Sequence, residues 1–438
     1  MMDYKTTLFI FTRDLRIEDN SALIEACKRS DTVIACFILN PKFVNDSFRA
    51  RFLLDCIEDL AAEFSKRNTV LQILHGDYAE SLKLIASLQK IDAIFINEDF
   101  TPFAKKRQSE ISEFAKQNKI QFHKYIDHLL YDPDLVKTKD GKPYTVFSQF
   151  FRTVTQMRVA RPTKNDFRNF YAKKLGEKSP IKSHTPINGG RKKALAILKD
   201  IENFKDYAEK RNYPKYSTTM LSAHNRFGTI SVRELYYAVS DNLGSDHTLT
   251  SEIHWKEFFS HILYHFPHVT KNAFRAKYSK IQWKNDKTLL EAWKLGKTGF
   301  PIIDAGMRQL NETGFMHNRV RMIVASFLTK DLHIDWKYGE RYFAEKLVDY
   351  DLAVNNGNWQ WIASTGCDAQ PWFRIFNPWL QQKKFDPECT YIKKWIPELE
   401  SLTSEQIHRL ENESFAENYP RPIVHHARES KIAKQMFQ

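Results

Sequence analysis

A chain of 438 residues can bury more than one hydrophobic core and suggests two or three domains. A mean hydropathy of −0.52, with no uninterrupted apolar run long enough to span a bilayer, argues against a helical membrane protein; five cysteines without CxxC spacing argue against a disulfide framework or structural zinc site. The formal net charge of +13 favours a polyanionic partner, because clustered Lys and Arg release condensed counterions when they neutralise phosphates.

The N-terminal sequence MMDYKTTLFIFTRDL passes directly into a strand-like run, with no basic region, long apolar segment and cleavage site in succession. A soluble, cytoplasmic protein is expected. Through residue 131 short apolar runs alternate with helical patterns: strands are predicted at 7–11, 32–39, 70–75, 93–97 and 120–125. Between them, Phe52, Leu53, Cys56, Ile57, Leu60 and Phe64 recur at helical spacing, and Asp19, Asn20 and Ser21 offer N-capping oxygens to the first helix. This alternation predicts an α/β domain over 1–131, a doubly wound parallel sheet of about five strands with right-handed crossovers. No GxGxxG or GxxxxGKS/T segment follows a strand, so the usual phosphate loops lack support.

Residues 132–193 are rich in Pro, Gly, Ser, Thr and Lys and are expected to form an interdomain connection with short helices. From 194 to 438 the pattern is overwhelmingly helical, predicting an all-α domain. Within it Trp255, Phe258, Phe259, Ile262 and Phe266 form an apolar stripe, with Glu252 one turn before Trp255. Between Arg275 and Lys297, seven basic residues are interleaved with Tyr278, Trp283 and Trp293, a combination that suits nucleic acid; the plain alternative is a solvated face with anchored aromatics.

Nucleophilic and metal chemistry find little support. There is no GxSxG, and neither His261 with His265 nor His425 with His426 has the HExxH form. The most unusual segment is DYDLAVNNGNWQW at 349–361. If it is helical, Asn355 and Trp359 share a face while Trp359 and Trp361 diverge; Asn-Asn-Gly-Asn is also a turn signal that could delay the helix to Trp359. Abundant Trp, hydroxyl clusters and paired Asp, without hydrolytic machinery, suit a bound organic cofactor.

The run TGFPIIDAGMRQLNETGFMHNRVRMIVASFLTKDLHIDWKYGERYF, the 349–361 segment and STGCDAQPWFRIFNP together resemble the photolyase/cryptochrome family, most closely class I cyclobutane pyrimidine dimer photolyases. The likeness extends from FTRDLRIEDN at Phe11 to PRPIVHHA ending at Ala427. It implies an N-terminal antenna-binding domain and a C-terminal helical domain holding FAD, active in its reduced form, FADH⁻. FAD contacts are implied at Tyr207, Arg211, Thr218, Thr219, Met220, Leu221, Ser222, Asp349 and Asp351, with hydroxyls and amides suited to the pyrophosphate. Asn355 matches the position beside flavin N5, where a neutral amide adds no fixed charge. Trp283, Trp336 and Trp359 match the family's electron-transfer chain.

For the substrate, the resemblance implies a pocket of Glu252, Trp255, Asn318, Arg319, Met322 and Trp361, with Arg319, Arg374 and Gln381 on the DNA backbone. Trp255 and Trp361 would sandwich a flipped-out dimer, Met322 would give an adaptable wall, and Glu252 would hydrogen-bond the bases. The expected activity is light-driven repair of cyclobutane pyrimidine dimers in DNA by a monomeric carbon–carbon lyase. The alternatives are a cryptochrome photoreceptor, whose signalling members often carry long C-terminal extensions, a (6-4) photolyase, expected to have histidines near 318 and 322, and a DASH-type protein, expected to lack the full Trp255, Trp361 and Met322 set. Phe103 and Ala104 stand where folate-binding relatives carry Asn-Glu, so a deazaflavin, a second flavin or no antenna is favoured over folate.

Overall fold

The computed structural model describes residues 2–41, 45–175, 189–368 and 374–437. They form two compact units: Met1–Tyr144, Ser148–Asn203 and Thr219–Tyr264 make the first, and Thr145–Phe147, Phe204–Thr218 and His265–Gln438 the second.

The first unit is built on five parallel strands, β1 (Tyr4–Phe11), β2 (Ser30–Leu39), β3 (Gln72–His75), β4 (Ala93–Asn97) and β5 (Gln121–Tyr125), in the order β3-β2-β1-β4-β5. Leu8–Phe11 and Ala93–Asn97 are buried, as expected of central strands covered on both faces. β1 begins earlier than its apolar run, because the polar start is held by Asp92, whose carboxylate accepts the N–H groups of Lys5 and Thr6. Asn20 caps helix Ser21–Arg29 by accepting the Leu23 N–H. Helix Phe48–Lys66 buries Phe52, Cys56, Ile57, Leu60 and Phe64, and with them Leu54, whereas Leu53 is only half-buried.

Part of the expected connection completes this sheet. β3 pairs only with the second half of β2, and beside the first half Val33 bridges in parallel to Phe170, its backbone bonding Asn169 and Tyr171. The contact-defined units also run differently from the expected cut at residue 194, because helix Thr248–His265 is tied into the first unit. Its Glu257 accepts the Leu130 N–H at 2.9 Å, its Tyr264 hydroxyl donates to Asp134, and its Phe258 packs on Phe150. Phe258, Phe259 and Ile262 of the stripe are buried; Phe266 lies past the helix end, before Pro267.

The second unit is helical, with Lys287–Leu295, Pro301–Thr313, Asn318–Lys330, Trp336–Lys346 and Leu352–Ala363 sharing one core around Trp293, Phe300, Phe327 and Trp359. The C-terminal helix His426–Met436 is fastened by His426 to Asp331 (2.5 Å) and by Glu429 to His333 (2.7 Å). Among the described residues, no helix is long and apolar enough to cross a membrane and no cluster of His, Cys, Asp and Glu could hold a metal ion.

Candidate functional site

The 349–361 segment is helical almost throughout. Asp351 caps helix Leu352–Ala363, its carboxylate accepting the N–H groups of Ala353 (3.0 Å) and Val354 (3.3 Å), so the Asn-Asn-Gly-Asn run lies inside the helix rather than in a turn. Tertiary bonds hold it there. Asn356 and Gln360 both donate to the Val269 carbonyl, and Gln360 also accepts the Phe274 N–H.

Asn355 is placed differently from Asn356. Its Nδ2 donates to the Glu340 carbonyl (3.1 Å) and to Glu340 Oε1 (2.9 Å), which leaves Oδ1, an acceptor, for another partner. Burial holds the Glu340 carboxyl above its ordinary range, with the Asn355 bond and Arg341 working against that shift. Asp349 forms a two-pronged pair with Arg321, at 3.2 and 2.9 Å. Arg321 is also fixed by the Met316 carbonyl; sequence reasoning passed over it because only the fold brings it to Asp349.

Trp359 and Trp361 occupy opposite environments. Trp359 is 3 % exposed and meets Phe343 edge-on at 5.0 Å, while Trp361 is half-buried with the exposed Arg374 guanidinium 5.9 Å from its ring. Trp336 is buried at the start of helix Trp336–Lys346, and three residues later Gly339 provides the surface on which Trp359 rests: a Cβ there would lie 2.1 Å from Trp359 Cη2. Trp283 is half-buried, packs against the same core, and meets Phe437 at 5.8 Å. Trp293, read with the basic stretch as a nucleic-acid ring, is instead 0 % exposed and packs on Trp359 at 6.3 Å. Tyr278 is buried too, so of that trio only Trp283 reaches the surface. Apolar spacing in helix Lys287–Leu295, with Leu290 also buried, was the signal available for Trp293.

On helix Asn318–Lys330, Asn318 is exposed and Arg319 and Met322 are half-buried. Arg319 is already engaged, bonding Asn212 Oδ1 at 2.5 and 3.2 Å and lying 4.4 Å over the Phe385 ring. Gln381, on helix Pro378–Phe385, has its Oε1 buried without a hydrogen-bond partner. Tyr207 and Arg211 flank the short helix Tyr207–Lys210, the guanidinium 5.8 Å from the ring, and Thr218 follows in the same unit.

Thr219, Met220, Leu221, Ser222, Glu252 and Trp255 belong to the first unit. Met220 has φ +56°, a left-handed conformation uncommon for such a side chain. Helix Ser222–Phe227 is capped by Leu221 without a side-chain bond, so the hydroxyl run is not an N-cap cluster. Glu252 and Trp255 are half-buried one turn apart, with Trp255 against Phe258 and Phe259.

The strand order of the first unit reverses between β1 and β4, the place beyond whose carboxyl ends open α/β sheets take ligands. Burial pushes the Asp99 carboxyl up, but Arg13, His128 and further cations more than offset it and hold it at about 2. Arg107 is 8 % exposed and lies 5.6 Å from the Tyr78 ring, with its Nε and Nη2 buried without partners; Thr12 Oγ1 and Ser81 Oγ are likewise unpartnered. Such donors fit a ligand rich in acceptors.

Residues 7–166 match the family described as DNA photolyase, and residues 248–438 match the FAD binding domain of DNA photolyase. The chain belongs to the DNA photolyase family. It is 34% identical over 464 residues to a deoxyribodipyrimidine photo-lyase of Synechococcus sp., an alignment covering 98% of this chain and 96% of the relative. Among solved structures, the archaeal photolyase from Sulfolobus tokodaii, described with two FAD molecules and a novel light-harvesting cofactor, has a TM-score of 0.88 at 39% identity, covering 99% of both chains. A bacterial class III photolyase from Agrobacterium tumefaciens has a TM-score of 0.89 at 31% identity, covering 100% of this chain and 98% of the other. The family is one of FAD-binding lyases acting on DNA, as the motifs implied, and the parallel sheet with a helical C-terminal region is the expected fold.

Proposed function

We propose that this chain repairs cyclobutane pyrimidine dimers in DNA under blue light. The observation that carries the reading is the pair of tryptophans on helix Leu352–Ala363: one sealed in the core, the other half-exposed beside an exposed arginine. One short helix thereby presents an oxidisable ring to the interior and a stacking ring to a substrate.

The donor set fits FAD. Asn355 Oδ1 is an acceptor held in place through Glu340, so it can take a hydrogen bond from a protonated flavin N5 without adding charge. In the second unit, Arg321 with Asp349, and Tyr207, Arg211 and Thr218, would offer charges and hydroxyls suited to a flavin dinucleotide, and in the first the Thr219–Ser222 run would offer hydroxyls and amides. Reduced FAD, when bound, supplies the light absorption and the single electron that opens the two C–C bonds of the dimer and is then returned. Trp359, Trp336 and Trp283 would carry electrons inward to restore the reduced state.

In the second unit Trp361 would stack on a flipped lesion, with Met322 and Asn318 beside it; in the first, Trp255 offers a stacking ring and Glu252 a carboxyl suited to a base's polar edge. Arg374 is exposed and suited to a phosphate; Arg319, anchored by Asn212 and Phe385, would be a pre-positioned donor, and Gln381 would complete the backbone contacts. The unpartnered donors of Arg107, Ser81 and Thr12 would serve a flavin or deazaflavin antenna, a reading supported by the second FAD of the Sulfolobus tokodaii protein. The protein would act as a cytoplasmic monomer.

The test is dimer-containing DNA incubated with purified, reduced protein. Thymine monomers should return under blue light and not in darkness; equal repair in darkness would overturn the photochemical reading, and no repair under light would overturn the enzyme. Absorption of the same sample reports FAD and any antenna together.

A further inference from the structure

We propose that Trp293 and Tyr342 form a second electron-donating branch that meets Trp359 and ends on a tyrosine. The proposal rests on the reading that Trp359 donates to photoexcited FAD, and it adds a route that does not pass through Trp336 or Trp283.

The geometry is continuous within the second unit. The Trp293 indole lies 6.3 Å from Trp359 at 72°, and the Tyr342 ring lies 5.8 Å from Trp293 at 61°. Trp293 is 0 % exposed, and its Nε1–H donates to the Val324 carbonyl at 3.1 Å. That carbonyl dipole stabilises a positive indole, yet it is no base, and water is shut out. A hole arriving on Trp293 therefore stays charged and mobile. Tyr342 differs: it is half-buried, and its hydroxyl donates to Asn311 Oδ1 at 2.6 Å and weakly to the Lys294 carbonyl at 3.3 Å. The ammonium groups of Lys294 and Lys346 each lie 5.6 Å from its ring and disfavour a positive ring. Oxidation of Tyr342 must then be accompanied by loss of its phenolic proton.

Trp359 would give one electron to photoexcited FAD, the oxidant when bound. Trp359 regains an electron from Trp293, and Trp293 from Tyr342, whose O–H bond breaks to leave a neutral tyrosyl radical. The proton leaves along the hydrogen bond to Asn311 Oδ1 and passes on to solvent beside this half-buried residue. An external thiol later returns an electron, and solvent a proton, to the tyrosyl radical. Deprotonation makes this hole slow to return, so the branch lengthens the life of the charge-separated state.

The experiment is flash photolysis with trapped-radical EPR on oxidised, FAD-loaded protein carrying ring-deuterated tyrosine. Wild type should show a tyrosyl signal altered by deuteration beside a tryptophanyl signal. Tyr342→Phe should abolish the tyrosyl signal and keep the tryptophanyl one; Trp293→Phe, which retains a packing ring, should do the same. Absence of a tyrosyl signal in wild type, or its persistence in Tyr342→Phe, overturns the branch. Tyr342 is only half-buried, so its variant reads the proposal even if the Trp293 substitution fails to fold. Trp359→Phe separates the two levels: loss of both signals upholds the shared first step, whereas unchanged signals overturn the underlying role of Trp359.

Discussion

Replacing Gly339 by alanine tests the placement of Trp359 directly. Gly339 sits inside helix Trp336–Lys346, where Gly→Ala alone would stabilise by roughly 1 kcal/mol through helix propensity. Here the added Cβ would lie 2.1 Å from Trp359 Cη2, 2.6 Å from Trp359 Cζ3 and 2.6 Å from Leu328 Cδ2. None of these atoms is the end of a flexible polar chain, and Phe343 and Trp293 also pack against the same indole, so the ring must shift by more than an ångström in a closed core. With three contacts this short, the cost falls in the upper part of the overpacking range, about 2–3 kcal/mol, which the propensity gain only partly offsets. A net loss of about 1–2 kcal/mol corresponds to a fall in Tm of roughly 2–8 °C for a unit of this size. Because the displaced ring is the proposed first donor, light-driven reduction of FAD should also slow, while repair by chemically reduced enzyme should be less affected. Thermal unfolding followed by circular dichroism and the rate of flavin photoreduction with a thiol read the two effects. A variant that keeps the wild-type Tm and photoreduction rate would refute the packing of Trp359 on Gly339.

Three further outcomes are expected. Glu340→Ala should remove the Oε1 acceptor and leave the Asn355 amide held only by the main-chain carbonyl of residue 340, costing about 1 kcal/mol for the lost bond and hastening reoxidation of reduced flavin, whereas Glu340→Gln keeps an acceptor and should stay near wild type; equal reoxidation in Ala, Gln and wild type would contradict the orienting role of Glu340. Burial, then Arg321 and Arg319, lower the His317 pKa to about 4, and its Nδ1 accepts the Arg319 N–H, so the folded state binds the imidazole proton less readily than the unfolded chain. Stability should therefore be unaffected by this group above about pH 6.5, fall as the pH drops towards 4, and level off below, a loss of about 3 kcal/mol that His317→Asn should largely remove in denaturant titrations across that range. Arg374→Ala should weaken binding to dimer-containing DNA and flatten the slope of log K against log salt by about one unit; an unchanged slope would remove Arg374 from the phosphate contacts.

Much of this protein was legible before folding. The five strands, the Asn20 cap and the core face of helix Phe48–Lys66 follow from apolar periodicity and side-chain oxygens acting on their own neighbours. The divergence of Trp359 and Trp361 also followed from helical geometry once the segment was taken as helical, and the ordered motifs identified the family. These are local properties, set by the period of the backbone and by residues within a turn.

The remaining features depend on contacts between distant residues. Asn-Asn-Gly-Asn has turn chemistry, and it is helical because Asp351 caps it while Glu340 and Val269 accept the side-chain amides of Asn355 and Asn356. Trp293 looked like a ring on a basic surface until helix packing closed over it, and Arg321 gained a role only when Asp349 came within 2.9 Å. The same holds for the 169–171 strand extension and the unpartnered nitrogens of Arg107. Sequence by itself determined which residues could donate, stack or carry charge. Tertiary structure decided which of them are sealed from water and which partner each one meets, because burial and long-range hydrogen bonds depend on chain segments that sequence spacing does not relate.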